Sequence, residues 1–332
     1  MTQDKFMQSL KNKIINISPL FQKIGLKTDA LSIVETPEMY SYKEKIEDNW
    51  AYYTAVGFQA LEKILEQEKK LVQSIGIVGI GSGVEGIAAL KVFEGLKNLV
   101  ISDIDQEILV GAVKNVESLA VGSNVEILPM IGSFAEPMQS LPYKFDLIHG
   151  NIPNLPSGEN QELKFGDEKG TFLPSLTFER YNPPVKFTKW AMAAQVAYLQ
   201  SAKKVLSPTG SVLTELGGRM PLSVVEGLFK ECGYKMQEML VGFKEQTEAE
   251  MDFQGYHQVE KEFGVEFDFY LYQESEKIMR QQGIENPTTQ ISGEKLKELL
   301  SKNRVNASEA LKLFNQGAAV GHTVHIFRGT YE

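Results

Sequence analysis

Ile75-Gly-Ile-Val-Gly-Ile-Gly-Ser-Gly-Val-Glu-Gly86 begins as a short apolar run, passes three closely spaced glycines, Gly79, Gly81 and Gly83, and continues as amphipathic sequence to Phe93. The pattern predicts a buried strand, a tight turn and a helix. The same alternation continues downstream. Leu99 to Ser102 is a short apolar run closed by Asp103, Ile108 to Leu119 has helical spacing, and Val125 to Met130 and Phe145 to His149 are two more strands. Strands separated by helices at this interval predict an α/β fold with a parallel, doubly wound sheet. Further on, Ser157 to Lys186 is a polar connection, Ala191 to Val205 a helix, Ser207-Pro-Thr-Gly210 a turn, Ser211 to Glu215 a fifth strand and Val224 to Glu231 a helix ending at Gly233. Phe267 to Tyr272 and Val320 to Phe327 alternate as strands, one or the other expected to pair antiparallel at the sheet edge, with Glu294 to Leu300 and Ser308 to Phe314 helical between them. Upstream, helical spacing occurs at Phe6, Leu10, Ile14 and Ile15 and again at Val56, Phe58, Leu61, Ile64 and Leu65. Between these lies Glu47-Asp-Asn-Trp-Ala-Tyr-Tyr53, which reads either as a core-facing aromatic cluster or as a flap over a ligand.

Composition narrows the class. The 332 residues are 42% hydrophobic and 23% charged, enough to bury a sizeable core. Net charge is −9, and no basic run exceeds a lysine pair, so a phosphate polymer is a poor partner. The single cysteine, Cys232, can form no internal disulfide and no cysteine-rich zinc site. There is neither an apolar leader nor a membrane-length apolar run, and a cytoplasmic protein without a membrane partner is expected. No histidine and acid cluster has metal-ligand spacing, and no metal is expected.

Gly79, Gly81 and Gly83 lie where a ligand can approach the backbone at a helix N-terminus. Asp103 ends the next strand, about 20 residues on, where a carboxylate accepts both hydroxyls of a ribose. Together they indicate an adenosine-containing cofactor. Gly81-Ser-Gly83-Val-Glu-Gly86 also satisfies the dinucleotide spacing, so glycines alone do not separate a dinucleotide from S-adenosylmethionine. Glu85 at the helix start is expected to disfavour a pyrophosphate.

The fourth strand runs into Asn151-Ile-Pro153-Asn154, and here the chain resembles class I S-adenosylmethionine-dependent methyltransferases, with a loop similar to the Asn-Pro-Pro-Tyr motif of release-factor glutamine N5-methyltransferases. A resemblance to the methyltransferase portion of methionine S-methyltransferases reaches further. Glu47-Asp-Asn-Trp50-Ala-Tyr52, Ile152-Pro153, Gly217-Gly-Arg219-Met-Pro221 and Gly317-Ala-Ala-Val-Gly-His322-Thr-Val-His-Ile326 are similar to segments of that family. Two departures accompany it: Ile77 replaces a commonly acidic residue, and Ser133 stands where many class I enzymes place an adenine-reading Asp.

The resemblance implies a Rossmann-like, mostly parallel seven-stranded sheet, with a helical extension or lid over 1–70, a cofactor-binding core over 71–245 and C-terminal additions over 246–332. It implies S-adenosyl-L-methionine held by Gly79, Gly81, Gly83, Asp103, Ile104, Ser133, Phe134 and Asn151. Asn151, Pro153 and Tyr53 are the expected catalytic residues. A free amino acid, best methionine S-methylated to S-methylmethionine, is the expected acceptor, lined by Trp50 and Tyr52 and bound by Arg219 and His322. An arginine is the preferred partner of a carboxylate, and aromatic faces suit a sulfonium product. N-methylation of a glutamine, amide or amine is the alternative; a nicotinamide dehydrogenase and a silent adenosine-binding module are more distant ones. Oligomeric state is left open.

Overall fold

The computed structural model describes residues 11–158 and 161–332, so the helical spacing read at Phe6 and Leu10 lies outside the described residues. Internal contacts divide the chain into unit 1 (Met1–Ile152, Asn160–Gly170 and Ser201–Ser211) and unit 2 (Pro153–Glu159, Thr171–Gln200 and Val212–Glu332).

Unit 1 begins with an antiparallel pair, β1 (Lys13–Asn16) and β2 (Ser32–Glu35), joined through helix α1 (Ser18–Lys23). Ile14 and Ile15, read as helical, therefore lie in a strand; Ile14 faces Val34 across the pair and is 80% exposed, so its spacing did not mark a buried helix face. Helix α2 (Trp50–Gln67) follows, then β3 (Ser74–Val78), α3 (Val84–Val92), β4 (Asn98–Asp103), α4 (Gln106–Leu119), β5 (Glu126–Ile131) and β6 (Phe145–Gly150). β3 is central: it pairs in parallel with β6 on one side and β4 on the other, and β4 pairs in parallel with β5. All of β3 is buried, as a strand covered on both faces must be. β5 is half-exposed. Asp105 caps α4 by accepting from the Glu107 and Ile108 amides.

Unit 2 contains a short parallel pair, β7 (Leu155–Ser157) with β8 (Phe172–Pro174). Helix α5 (Ala193–Val205) runs directly into β9 (Leu206–Gly217), a strand whose first half is counted in unit 1. The turn expected at Ser207–Gly210 is thus extended backbone at the exposed start of a strand, a position that tolerates Pro208. Helix α6 (Leu222–Glu231), β10 (Tyr234–Glu245), α7 (Ala249–Phe263), β11 (Phe269–Leu271), α8 (Tyr272–Gln281), α9 (Gly293–Leu300), β12 (Arg304–Val305), α10 (Ala307–Asn315) and β13 (Val320–Tyr331) complete the chain. β13 is antiparallel to β9 on one side and to β10 on the other, so the last strand lies inside its sheet rather than at the edge. β11 pairs with β13 and β12 but is only three residues long, because Tyr272 already starts α8.

The expected α/β class is the one observed. Unit 1 carries the parallel order β6-β3-β4-β5 and unit 2 the order β9-β13-β10, with the short β11 and β12 as additions beyond the seven strands expected. No described helix is long and apolar enough to cross a membrane.

Candidate active site

The turn between β3 and α3 is built by its glycines in different ways. Gly79, Gly81 and Gly83 all have positive φ (69°, 55° and 90°), which disfavours any side chain. Gly83 is also packed: a Cβ there would lie 3.1 Å from the Ala112 carbonyl and 3.2 Å from Val116 Cγ2 on α4. Gly86 packs similarly on Val116. Around Gly81, by contrast, a Cβ would meet nothing within 4 Å, and at Gly79 it would only just reach the Asn151 carbonyl at 4.0 Å. Gly83 and Gly86 thus serve helix packing, whereas Gly79 and Gly81 line open space. The loop is held from behind: Asn115 on α4 donates to the Ser82 carbonyl (2.9 Å), and the Gly79 and Ile80 amides donate to the Ser102 carbonyl.

Asp103 stands at the end of β4, facing that loop. Its Oδ2 accepts from the Gly81 amide at 3.4 Å and its Oδ1 from the Asp105 amide at 3.0 Å. Burial pushes its carboxyl up to about 6, with the Asp105 and Gly81 amides opposing and the Asp105 charge reinforcing the shift. Ile104, next along, is 47% exposed, an apolar surface beside the carboxylate. Ser133 is half-buried, while Phe134 is buried with φ of 52°, a backbone state that bulky residues seldom adopt. The Phe134 carbonyl accepts from the Ser102 hydroxyl, so the strained turn is fastened to β4.

At the end of β6, Asn151 is half-buried, and its carbonyl is the one group that a Cβ on Gly79 would approach, at 4.0 Å. Two residues earlier, His149 pairs in register with Ile77. Its Nε2 lies 3.0 Å from Glu85 Oε2 and 3.4 Å from Thr54 Oγ1, and the Thr54 hydroxyl also reaches Glu85 Oε1 at 3.5 Å. His149 Nδ1 is buried with no hydrogen-bond partner among the described residues. Glu85 therefore turns into the interior and not toward the glycine loop, which removes the expected objection to a pyrophosphate. The network joins α2, α3 and β6, three elements that carry expected site residues. On the first turn of α2, Trp50 is half-buried, Tyr52 is 5% exposed, and Tyr53 is wholly buried. Tyr52 and Tyr53 meet edge to face at 5.4 Å, and burial with the Glu47 charge pushes the Tyr52 hydroxyl up to about 12.

Unit 2 holds Pro153, Arg219 and His322. Arg219 is 4% exposed, buried in spite of its charge. Its Nη1 donates to the Tyr256 hydroxyl (3.4 Å) and its Nη2 to Gln246 Oε1 (2.5 Å), with Asp252 Oδ2 at 3.8 Å. The guanidinium lies over the Tyr256 ring at 4.9 Å and the Phe269 ring at 5.7 Å. His322 is beside it, since a Cβ on Gly217 would come within 2.1 Å of Arg219 Nη1 and 3.3 Å of His322 Nδ1. Burial, then the Arg219 and Lys244 charges, holds the imidazole of His322 well below its usual range and hence neutral; Nδ1 donates to the Thr323 carbonyl. The turn carrying Arg219 is fixed by the Gly218 amide donating to the Thr323 carbonyl and by Lys297 donating to the Gly218 and Met220 carbonyls.

The structure thus gathers Gly79, Gly81, Asp103, Ile104 and Asn151 around the glycine turn of unit 1, and Arg219 with His322 in unit 2. Reading the sequence missed Thr54 and the inward turn of Glu85. It also missed Lys244, Gln246, Asp252 and Tyr256. Asp252 and Tyr256 are spaced four apart on one helix face, a signal that was available once α7 was recognised.

No protein-family model matches the chain, and no curated protein matches it. Among solved structures it is similar to a putative sarcosine dimethylglycine methyltransferase from Galdieria sulphuraria (12% identity, 89% of this chain and 93% of that one, TM-score 0.40). It is likewise similar to a putative RNA methyltransferase from Pyrococcus horikoshii (11% identity, 88% and 92%, TM-score 0.41). A third is a methyltransferase from Thiobacillus denitrificans in complex with S-adenosyl-L-homocysteine (12% identity, 84% and 91%, TM-score 0.40). At these scores the likeness assigns neither donor nor acceptor, and both rest on the chain's own residues.

Proposed function

We propose that the chain is an S-adenosylmethionine-dependent methyltransferase whose acceptor is a free amino acid, with the methionine thioether as the preferred nucleophile. The observation that carries the class is the placement of β13. A dinucleotide-binding sheet runs in the order 3-2-1-4-5-6 with its strands mostly parallel. Here the four parallel strands of unit 1 keep the 3-2-1-4 part, but the last strand of the chain enters antiparallel between β9 and β10.

The residues of unit 1 fit the donor. The open backbone at Gly79 and Gly81 accommodates its amino acid part, Asp103 accepts the ribose hydroxyls, and Ile104 offers an apolar face to the adenine, with Ser133 at its polar edge. Once bound, the donor supplies an electrophilic methyl carbon, whose bond to the sulfonium sulfur breaks as a bond to the acceptor forms. The chain's own work is then to orient the two partners and exclude water. A thioether attacks with a lone pair and releases no proton, so no general base is needed. Trp50 and Tyr52 are the aromatic faces for the sulfonium product, with Tyr53 supporting them from the core. Arg219, with His322 beside it, binds the substrate carboxylate.

A second reading, N-methylation of an amide or amine, is favoured by one feature: the Asn151 side chain takes no hydrogen bond from a described residue. In that chemistry its oxygen would accept the nucleophile's hydrogen, and Pro153 would shape the loop. Asn151→Ala separates the two readings. Thioether methylation is expected to fall less than about tenfold, whereas an amide methylation would fall about a hundredfold or more, as for other lost transition-state contacts.

The function itself is tested by incubating the protein with S-adenosylmethionine and a pool of free amino acids and following products by mass spectrometry. S-methylmethionine together with S-adenosylhomocysteine is the expected result. Donor turnover only with a protein or RNA added would contradict the acceptor assignment.

A further inference from the structure

Beyond Arg219 and His322, unit 2 buries a set of charged groups that an ordinary core avoids, because an ionised side chain removed from water is costly unless its partners are complete. Arg219 (4% exposed), Lys244 (0%), Glu248 (7%) and Asp252 (8%) are all of this kind. Their placement is local. Lys244 faces His322 across the β10–β13 register, and both Lys244 and Glu248 act electrostatically on Asp252.

The pairing at the centre is incomplete on both signs. Arg219 commits its two terminal nitrogens to Tyr256 and Gln246, but Nε is buried and has no hydrogen-bond partner. Asp252 accepts from the Gln246 amide through Oδ2, and its other oxygen takes no hydrogen bond from a described residue. Burial outweighs the Arg219 charge at this carboxyl and pushes it up to about 6, so the arginine does not complete it. A guanidinium Nε lacking an acceptor and one carboxylate oxygen lacking a donor thus lie on either side of Gln246. The cluster is also tied to the loop after β6. Asn154 bonds the Tyr256 hydroxyl and accepts from Gln195, which in turn accepts from Thr214.

We infer that the Arg219–Gln246–Asp252 cluster is a recognition site for the zwitterionic head of a free α-amino acid, with Arg219 Nε and the adjacent Lys244 taking the carboxylate and Asp252 taking the ammonium. The inference rests on the amino acid acceptor proposed above and sharpens it: a residue inside a peptide, lacking both charges, is excluded. Gln246 is the positioning residue, holding Arg219 with its carbonyl and Asp252 with its amide.

The test is calorimetric titration of the full chain with L-methionine, N-acetyl-L-methionine and L-methioninamide, each with and without S-adenosylhomocysteine. Free methionine is expected to bind at least tenfold tighter than either blocked form. Asp252→Asn is expected to weaken methionine about tenfold or more, to leave N-acetylmethionine unchanged and to leave S-adenosylhomocysteine binding intact. Equal affinity for the three ligands, equal weakening of all three by Asp252→Asn, or no methionine binding by protein that still binds S-adenosylhomocysteine would each overturn the inference. Methionine binding without any S-adenosylhomocysteine binding would instead uphold this site and overturn the donor assignment.

Discussion

Asp103→Ala is expected to lower affinity for S-adenosylmethionine and S-adenosylhomocysteine by about a hundredfold or more, measured by calorimetric titration. Two hydroxyls donating to one ionised, largely buried carboxylate contribute about 1.5 kcal/mol each at the low end for charged partners. A loss of about 3 kcal/mol is roughly two decades in affinity. The substitution also frees the Gly81 and Asp105 amides, which Asp103 holds at 3.4 and 3.0 Å. Asp103→Asn separates the two contributions, since it keeps one acceptor oxygen and should fall between wild type and alanine. The same residue sets a pH dependence. Its carboxyl lies at about 6 because of burial, and in the proposed donor site the ionised form is the one that accepts from both ribose hydroxyls. Donor affinity should be level above about pH 7 and fall by up to about tenfold per unit below 6, as the proton competes with the ligand. In Asp103→Ala that slope should disappear. A retained slope would place the titrating group elsewhere.

The second large effect concerns stability. Glu85→Leu removes the closest partner of a fully buried histidine, leaving His149 with no carboxylate at Nε2 and no partner at Nδ1. Breaking a buried pair from one side costs about 3 kcal/mol, whereas replacing both members by apolar groups of similar volume is often close to neutral. Urea denaturation should therefore show Glu85→Leu strongly destabilised and Glu85→Leu/His149→Phe largely restored. The aromatic ring at 149 would retain the edge-to-face contact with Phe58, now at 5.2 Å. Equal losses in the single and double variants would mean that the pair is not the source of the effect. Because Glu85 follows the glycine turn, His149 precedes Asn151 and Thr54 follows the aromatic turn of α2, the pair also links the elements that carry the proposed donor site.

What could be read from residues alone follows from how locally each feature is determined. The turn at Gly79–Gly83 and the strands on either side were legible because buried parallel strands are continuous apolar runs and the turn demands positive φ at glycines. Asp103 was legible because the end of β4 is fixed by the same run. β10 was not: its first half alternates exposed with buried or half-buried residues, the run from Met239 to Lys244 is buried throughout, and no single period describes it. Arg219 illustrates a different limit. The Gly-Gly-Arg turn does not itself show that its arginine is buried, because the groups that enclose it, Gln246, Tyr256 and Phe269 among them, are distant along the chain. Glu85 likewise sits one residue past the N-cap position plus one, where sequence does not say which way the side chain turns. Its partners Thr54 and His149 lie 31 and 64 residues away.

The central claim is that the glycine turn and Asp103 hold the methyl donor rather than a dinucleotide. Parallel calorimetric titrations of the full chain with S-adenosylhomocysteine and with NAD⁺ test it directly. One saturable S-adenosylhomocysteine site that Asp103→Ala weakens about a hundredfold is expected, with no binding of NAD⁺. Saturable NAD⁺ binding that the same substitution abolishes, with S-adenosylhomocysteine inert, would contradict it.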